Sequence, residues 1–225
     1  MDPALLLLAD SRLPTGGHAH SAGLEAAATR GVVRGPEDVA AYLAARVPTT
    51  GLVTAAAAAA ACRTRTTTQE AWEPWDAAVS ARTPVSALRE VSRAQGRALL
   101  RTARATWPSP DYDALGPRPH QALALGVVVA AAGGAPHDAA ALAVHHLVGQ
   151  ICSAAVRLLG LDPLALAGVH ARALGAAAGT VTEAVASGVA AAERDDPALL
   201  PAATTPLPEV LAARHARADG ALFAS

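Results

Sequence analysis

Histidines and arginines carry most of the chemistry open to this 225-residue sequence. His18 and His20 form an HxH pair inside a glycine-rich stretch, and ligands on a loop can meet at a metal without helical spacing. His145 and His146 are adjacent in an apolar, helix-forming segment. Consecutive helical positions diverge by about 100°, so this pair does not converge on one ion as i, i+4 ligands do. No carboxylate or cysteine stands at a matching spacing in either segment. The helical pair therefore reads as core or surface histidines, and His18 and His20 remain weak candidate metal ligands. Arg89, Arg93, Arg97 and Arg101 recur every fourth residue, with Arg104 three further on, in one helical sector about 120° wide. Within that helix only Glu90 is placed to neutralise any of them. The stripe is either a solvated face whose partners come from elsewhere in the fold, or a docking face for anions or an acidic protein.

Other chemistry is excluded by what the composition lacks. All 18 basic side chains are arginine, so a P-loop lysine, a Schiff-base lysine and a lysine general base are impossible. There is no GxSxG elbow, no HExxH, no GxGxxG and no kinase motif set, and no Ser/His/Asp spacing rises above chance. With 19 acids the formal charge is −1, which argues against bulk electrostatic binding to nucleic acid or to an anionic membrane. Cys62 and Cys152 are too few for a disulfide framework and form no CxxC, which points to reduced, buried thiols in a cytosolic protein.

The elements that must position these residues are helical. The chain is 52% hydrophobic and 3% aromatic, roughly a quarter of it is alanine, and β-branched or aromatic runs are scarce. Proline and glycine punctuate it into a short helix over 2–10, a glycine loop over 11–20, and helices over 21–30, 36–47, 51–65, 69–81, 83–107, 120–132, 136–159 and 163–194. The last of these has candidate breaks at Gly168, Gly175 and Gly179. A proline-rich segment, Pro197–Pro208, leads to a terminal helix over 209–218. The seven-alanine run, 55–61, makes a thin helix that neighbours can approach closely. The start lacks a cationic region and carries Asp2 and Asp10, so it reads as a helix rather than a signal peptide. The longest uncharged stretches, 119–136 and 139–156, contain His, Gln and Gly and read as buried helices rather than membrane spans. We therefore expect an all-α, single-domain bundle of about eight to ten helices spanning 1–225, with 197–225 as an extended C-terminal segment.

The most specific local feature is the loop LPTGGHAHSAGLE, residues 13–25. Pro14, Gly16, Gly17 and Gly23 demand an unusual backbone, and Ser21 can cap the helix that carries Glu25. Together with the apolar helix before it, this loop resembles the N-terminal pattern of the urease accessory protein UreF family. The resemblance extends along the chain through LREVSRAQGRALLRTA, through the long run from PRPHQALALG to AAVRLLGL, and to the terminal ALFAS. Departures stand beside it: His18 occupies a position usually aromatic, Ala221 replaces the tail arginine, and the family's usual glutamines after Leu161 are missing.

The resemblance implies an all-α homodimeric scaffold, not an enzyme, that acts in the cytoplasm in nickel delivery to urease and has no cofactor of its own. It implies binding to UreD (also called UreH), recruitment of the nickel-carrying GTPase UreG with modulation of its GTP hydrolysis, and docking on apo-urease, with neither nucleic acid nor membrane as partner. By position, Ser21, Gly23, Leu24 and Glu25 would face the GTPase, Leu222, Phe223 and Ser225 would face UreD, and Arg157 would lie on the dimer side. A rival from another class is an all-helical DNA-binding transcription regulator that lays the arginine-rich helix on phosphates. It predicts a basic N-terminal helix-turn-helix, whereas residues 1–45 hold only Arg12, Arg30 and Arg34.

Overall fold

The computed structural model describes residues 3–15, 17, 20–64 and 66–215, and no strand occurs among them. A 3-10 turn, Pro3–Leu5, leads into the single-turn helix α1 (Leu6–Ala9). The loop then delivers α2 (Leu24–Thr29). Helix α3 (Pro36–Arg46) opens as its sequence dictates. Pro36 occupies the first position, and Asp38 Oδ2 accepts the N–H groups of Arg34 at 2.8 Å and Gly35 at 3.3 Å. The same device opens α9 (Pro136–Leu159), where Asp138 Oδ2 accepts the Ala135 N–H at 3.0 Å.

Between these lie α4 (Leu52–Arg63), α5 (Gln69–Ala81), α6 (Ser86–Thr106), the single turn α7 (Asp111–Ala114) and α8 (Gln121–Ala131). After them come α10 (Pro163–Ala176), α11 (Ala178–Glu193) and α12 (Pro206–His215). The all-α reading therefore holds, and most helix bounds fall where proline and glycine place them.

Two boundaries differ in an informative way. The chain does not stop between α3 and α4: a π-helical turn, Val47–Gly51, carries the helix through from Pro36 to Arg63. Pro48 has no N–H to lose, and the Thr49 and Thr54 hydroxyls donate to the carbonyls of Ala45 at 2.7 Å and Thr50 at 2.9 Å, so the widened turn stays satisfied. Helix α12 begins at Pro206, three residues earlier than the composition suggests, because prolines in a first turn give up no hydrogen bond. The break in the 163–194 segment falls at Ala177, between Gly175 and Gly179, with a bend of 48°.

The core is built around α4. Its alanines Ala55–Ala61 are each 1% exposed or less, and α8, α9 and α11 pack against them. Two glycines make the approach possible. A Cβ on Gly126 would lie 2.3 Å from the Ala58 carbonyl oxygen, and one on Gly188 would lie 2.3 Å from that of Ala56. Cys62 and Cys152 are buried and not joined in a disulfide, and burial pushes the Cys152 thiol up to about 11. The continuous α3–α4 helix and α9 are long and apolar enough to cross a membrane by length and composition. In the fold, 67% and 61% of their most apolar windows are packed inside.

Candidate functional site

The glycine loop and the helix it feeds form one buried unit. Ser21 Oγ accepts the N–H of Glu25 at 3.3 Å, four residues on rather than the two or three an N-cap serine spans, because the N-cap itself is Gly23. Ala22 (φ +50°) and Gly23 (φ +82°) are both left-handed. Such a pair persists only when the surroundings over-determine it. Here the surroundings are identifiable: the Tyr42 hydroxyl on α3 donates to the Ala22 carbonyl at 3.2 Å. It also sits 3.1 Å from where a Gly23 Cβ would be, with the Pro208 carbonyl of α12 at 3.8 Å.

One turn along α3 from Tyr42 lies Arg46, only 4% exposed, whose Nε has no hydrogen-bond acceptor among the described residues. Burial lowers its guanidinium from the usual value, with Tyr42 and Glu209 acting in the opposite sense, and burial raises the Tyr42 phenol. Helix α12 lies against α2, and a Thr49–Thr205 hydroxyl contact ties the lead-in of α12 to the π-helical turn. Replacing Tyr42 by Phe is expected to remove about 1 kcal/mol of stability, read from the denaturant midpoint at unchanged m, by freeing the strained Ala22–Gly23 turn.

The sequence-derived site residues divide as follows. Ser21, Gly23, Leu24 and Glu25 come together, but they are buried: Ser21 and Leu24 at 0% and Glu25 at 5% exposed. They set the shape of the loop beneath α12 rather than presenting side chains to solvent. His20 is buried at 7%, and His18 lies outside the described residues. Among the described residues no group of three or more His, Cys, Asp or Glu is placed to hold a metal. Leu222, Phe223 and Ser225 also lie outside the described residues. Arg157 is exposed near the end of α9, its Nε donating to the Ser153 carbonyl at 3.3 Å. Leu164, on the next helix, is 81% exposed.

The helical histidine pair has a local use that spacing alone could not disclose. His146 Nε2 donates to the Leu8 carbonyl at 2.7 Å and His145 Nε2 to that of Ala9 at 3.1 Å, satisfying the open end of α1. The carbonyls can only accept, so each ring carries its proton on Nε2. Burial lowers His146, and it lowers His170, whose ring lies 5.4 Å from that of His145.

The arginine stripe is largely spent inside the fold. Arg89 donates to the Thr83 and Pro84 carbonyls, Arg93 forks onto Asp76 at 2.7 and 3.0 Å, and Arg104 pairs with Asp113 at 2.8 Å. Glu90 is taken by Arg118 instead of by the stripe. Arg97 and Arg101 are exposed and form no ion pair among the described residues.

The family model that matches this chain is UreF, over residues 33–174. A urease accessory protein UreF of Mycolicibacterium vanbaalenii is 44% identical over 98% of this chain and 97% of its own length. The UreF of Mycobacterium marinum is 42% identical over the same shares, and that of Mycobacterium tuberculosis is 45% identical over 71% of this chain and 74% of its own. The chain belongs to the UreF family. The family-model match starts after the glycine loop, whereas the relatives matched over 98% of the chain cover all but a few residues of it. Relatives of this UreF-family chain carry the name of accessory proteins of urease, which places it with urease maturation. The buried loop, Tyr42, Arg46 and α12 form its most distinctive local structure.

Proposed function

We propose that this chain is a non-catalytic scaffold of nickel delivery to urease. In this reading it acts in the cytoplasm as a homodimer, binds UreD/UreH, recruits the nickel-carrying GTPase UreG, modulates its GTP hydrolysis, and docks the assembly on apo-urease. Nickel is the cargo of the complex and not a resident cofactor of this chain. The observation that carries the reading is the near-full-length identity to proteins named as urease accessory proteins.

The geometry supports it in kind. The loop over 20–25 is held in one strained shape by Tyr42 and lies against α12, so a partner that engages the C-terminal segment can bias the loop. Leu164, in the first turn of α10, and Arg157, near the end of α9, are both exposed, which suits the proposed dimer side.

The test is reconstitution with the partners. Deletion of residues 221–225, or Phe223→Ala, is expected to lower co-purification of UreD at least tenfold while the circular dichroism and melting temperature stay unchanged. Glu25→Ala, checked for folding in the same way, is expected to keep UreD and lose UreG recruitment and urease activation. Undiminished UreD recovery with the truncated chain, or full urease activation by Glu25→Ala, counts against these assignments.

A further inference from the structure

A cleft of about 120 Å³ opens between α1, the glycine loop, α6, α8 and α9. Leu8 and Leu99 contribute apolar surface to it, and Gln95, Gln121, Gln150 and Ser153 contribute the polar wall. Gln95 is 9% exposed, points from the core side of α6, and its Nε2 has no hydrogen-bond acceptor among the described residues. A buried amide N–H group left unpaired is unfavourable, and native cores rarely keep one without a use. The imidazoles of His145 and His146 also line the cleft, but their Nε2 protons are committed to the carbonyls of α1.

The charge of the lining narrows the occupant. Among the described residues no lysine or arginine lines the cleft, so an anion finds no countercharge from them. The one carboxylate among the described lining residues, Asp10, is held by Arg12 through Nε at 3.0 Å, so a cation finds no free one there. What remains is a neutral molecule that offers an acceptor oxygen to Gln95 and donors to the amide and hydroxyl oxygens of the wall. A primary carboxamide has this complement.

We propose that the cleft is a binding site for a small neutral carboxamide, with its carbonyl oxygen on Gln95 Nε2 and its amide N–H groups on the polar wall. This site is independent of the urease-maturation reading and stands or falls without it.

The experiment is a titration of the ¹⁵N-labelled full chain with propionamide, followed at the Gln95 side-chain amide and the backbone amides of Thr15, Gly17 and Gly149. Saturable shifts are expected, with half-saturation at least tenfold higher in Gln95→Leu and at least tenfold higher for propionate, the charged analogue. Shifts that stay linear in concentration overturn the proposal. So does an unchanged Gln95→Leu titration, or propionate binding as tightly as propionamide. Should Gln95→Leu fail to fold, Gln150→Met carries the test: a half-saturation raised severalfold supports the site, and an unchanged one overturns it.

Discussion

Gly126→Ala is expected to destabilise the fold by about 3 kcal/mol or more, or to prevent its formation, although the same change in an open helix would be favourable. The added methyl would meet the Ala58 carbonyl oxygen at 2.3 Å, the Ala61 Cβ at 2.6 Å and the Cys62 nitrogen at 2.7 Å. All three belong to the backbone or first carbon of α4, so no side chain can rotate away. The only relief is to move α8 off the alanine helix, which opens the contact between two of the most buried elements of the bundle. Gly175→Ala is the matched control. Nothing lies within 4 Å of the methyl it would add, and it is expected to gain up to about 1 kcal/mol through the lower entropy of the unfolded chain. Denaturant midpoints of the two variants should move in opposite directions. A Gly126→Ala midpoint within error of the parent would mean that α8 does not approach α4 as closely as the 2.3 Å contact requires.

Stability should fall as the pH is lowered from about 6.5 to 4, with His120 as the main histidine responsible. His120 is fully buried ahead of α8, its Nε2 2.9 Å from Ser80 Oγ and its Nδ1 3.0 Å from Ser92 Oγ. Those hydroxyls already accept from Arg93 at 3.2 Å and from the Gln121 N–H at 3.1 Å. A neutral ring suits this arrangement, since one serine gives it a proton and the other takes one. A charged ring would need both oxygens as acceptors beside a cation. Burial first, and the Arg93 charge second, lower its pKa to about 4.

The native state therefore resists a proton that the unfolded chain takes up near pH 6.5. The contribution is complete above that pH and is lost on acidification toward 4, amounting to about 2–3 kcal/mol. Partly buried His146, which burial also lowers, acts in the same sense. Urea titrations at pH 7 and pH 4.5 should show the loss, and His120→Gln should flatten the slope between them while lowering stability at pH 7. A slope unchanged in His120→Gln would assign the effect elsewhere.

Much of the molecule was legible because its signals are local. Pro36 with Asp38, and Pro136 with Asp138, announce two helix starts by chemistry confined to four residues. The alanine run announces a helix that others can approach, and the prolines and glycines over 13–25 announce a special backbone, which Ala22 and Gly23 adopt with left-handed angles. The order of motifs along the chain pointed to the UreF family, and near-full-length identity to named relatives shows that membership.

What spacing could not tell was partnership. The arginine stripe looks uniform in sequence. Yet Arg93 is fixed by Asp76 from a different helix, while Arg97, one turn on, meets no carboxylate among the described residues. The burial of Ser21, Leu24 and Glu25 was equally hidden, because it depends on Tyr42 and on α12, distant in sequence. Gln95 and His120, unremarkable as letters, matter only through what surrounds them.

The sequence by itself determined the helical class, the caps, the close-packing alanines and the absence of lysine chemistry, because each depends on propensities and side-chain size within a few residues. The tertiary structure alone decided which polar groups are spent and which are left over. Hydrogen bonds and desolvation depend on distance in space, and a residue's neighbours in space are set by the packing of the whole bundle.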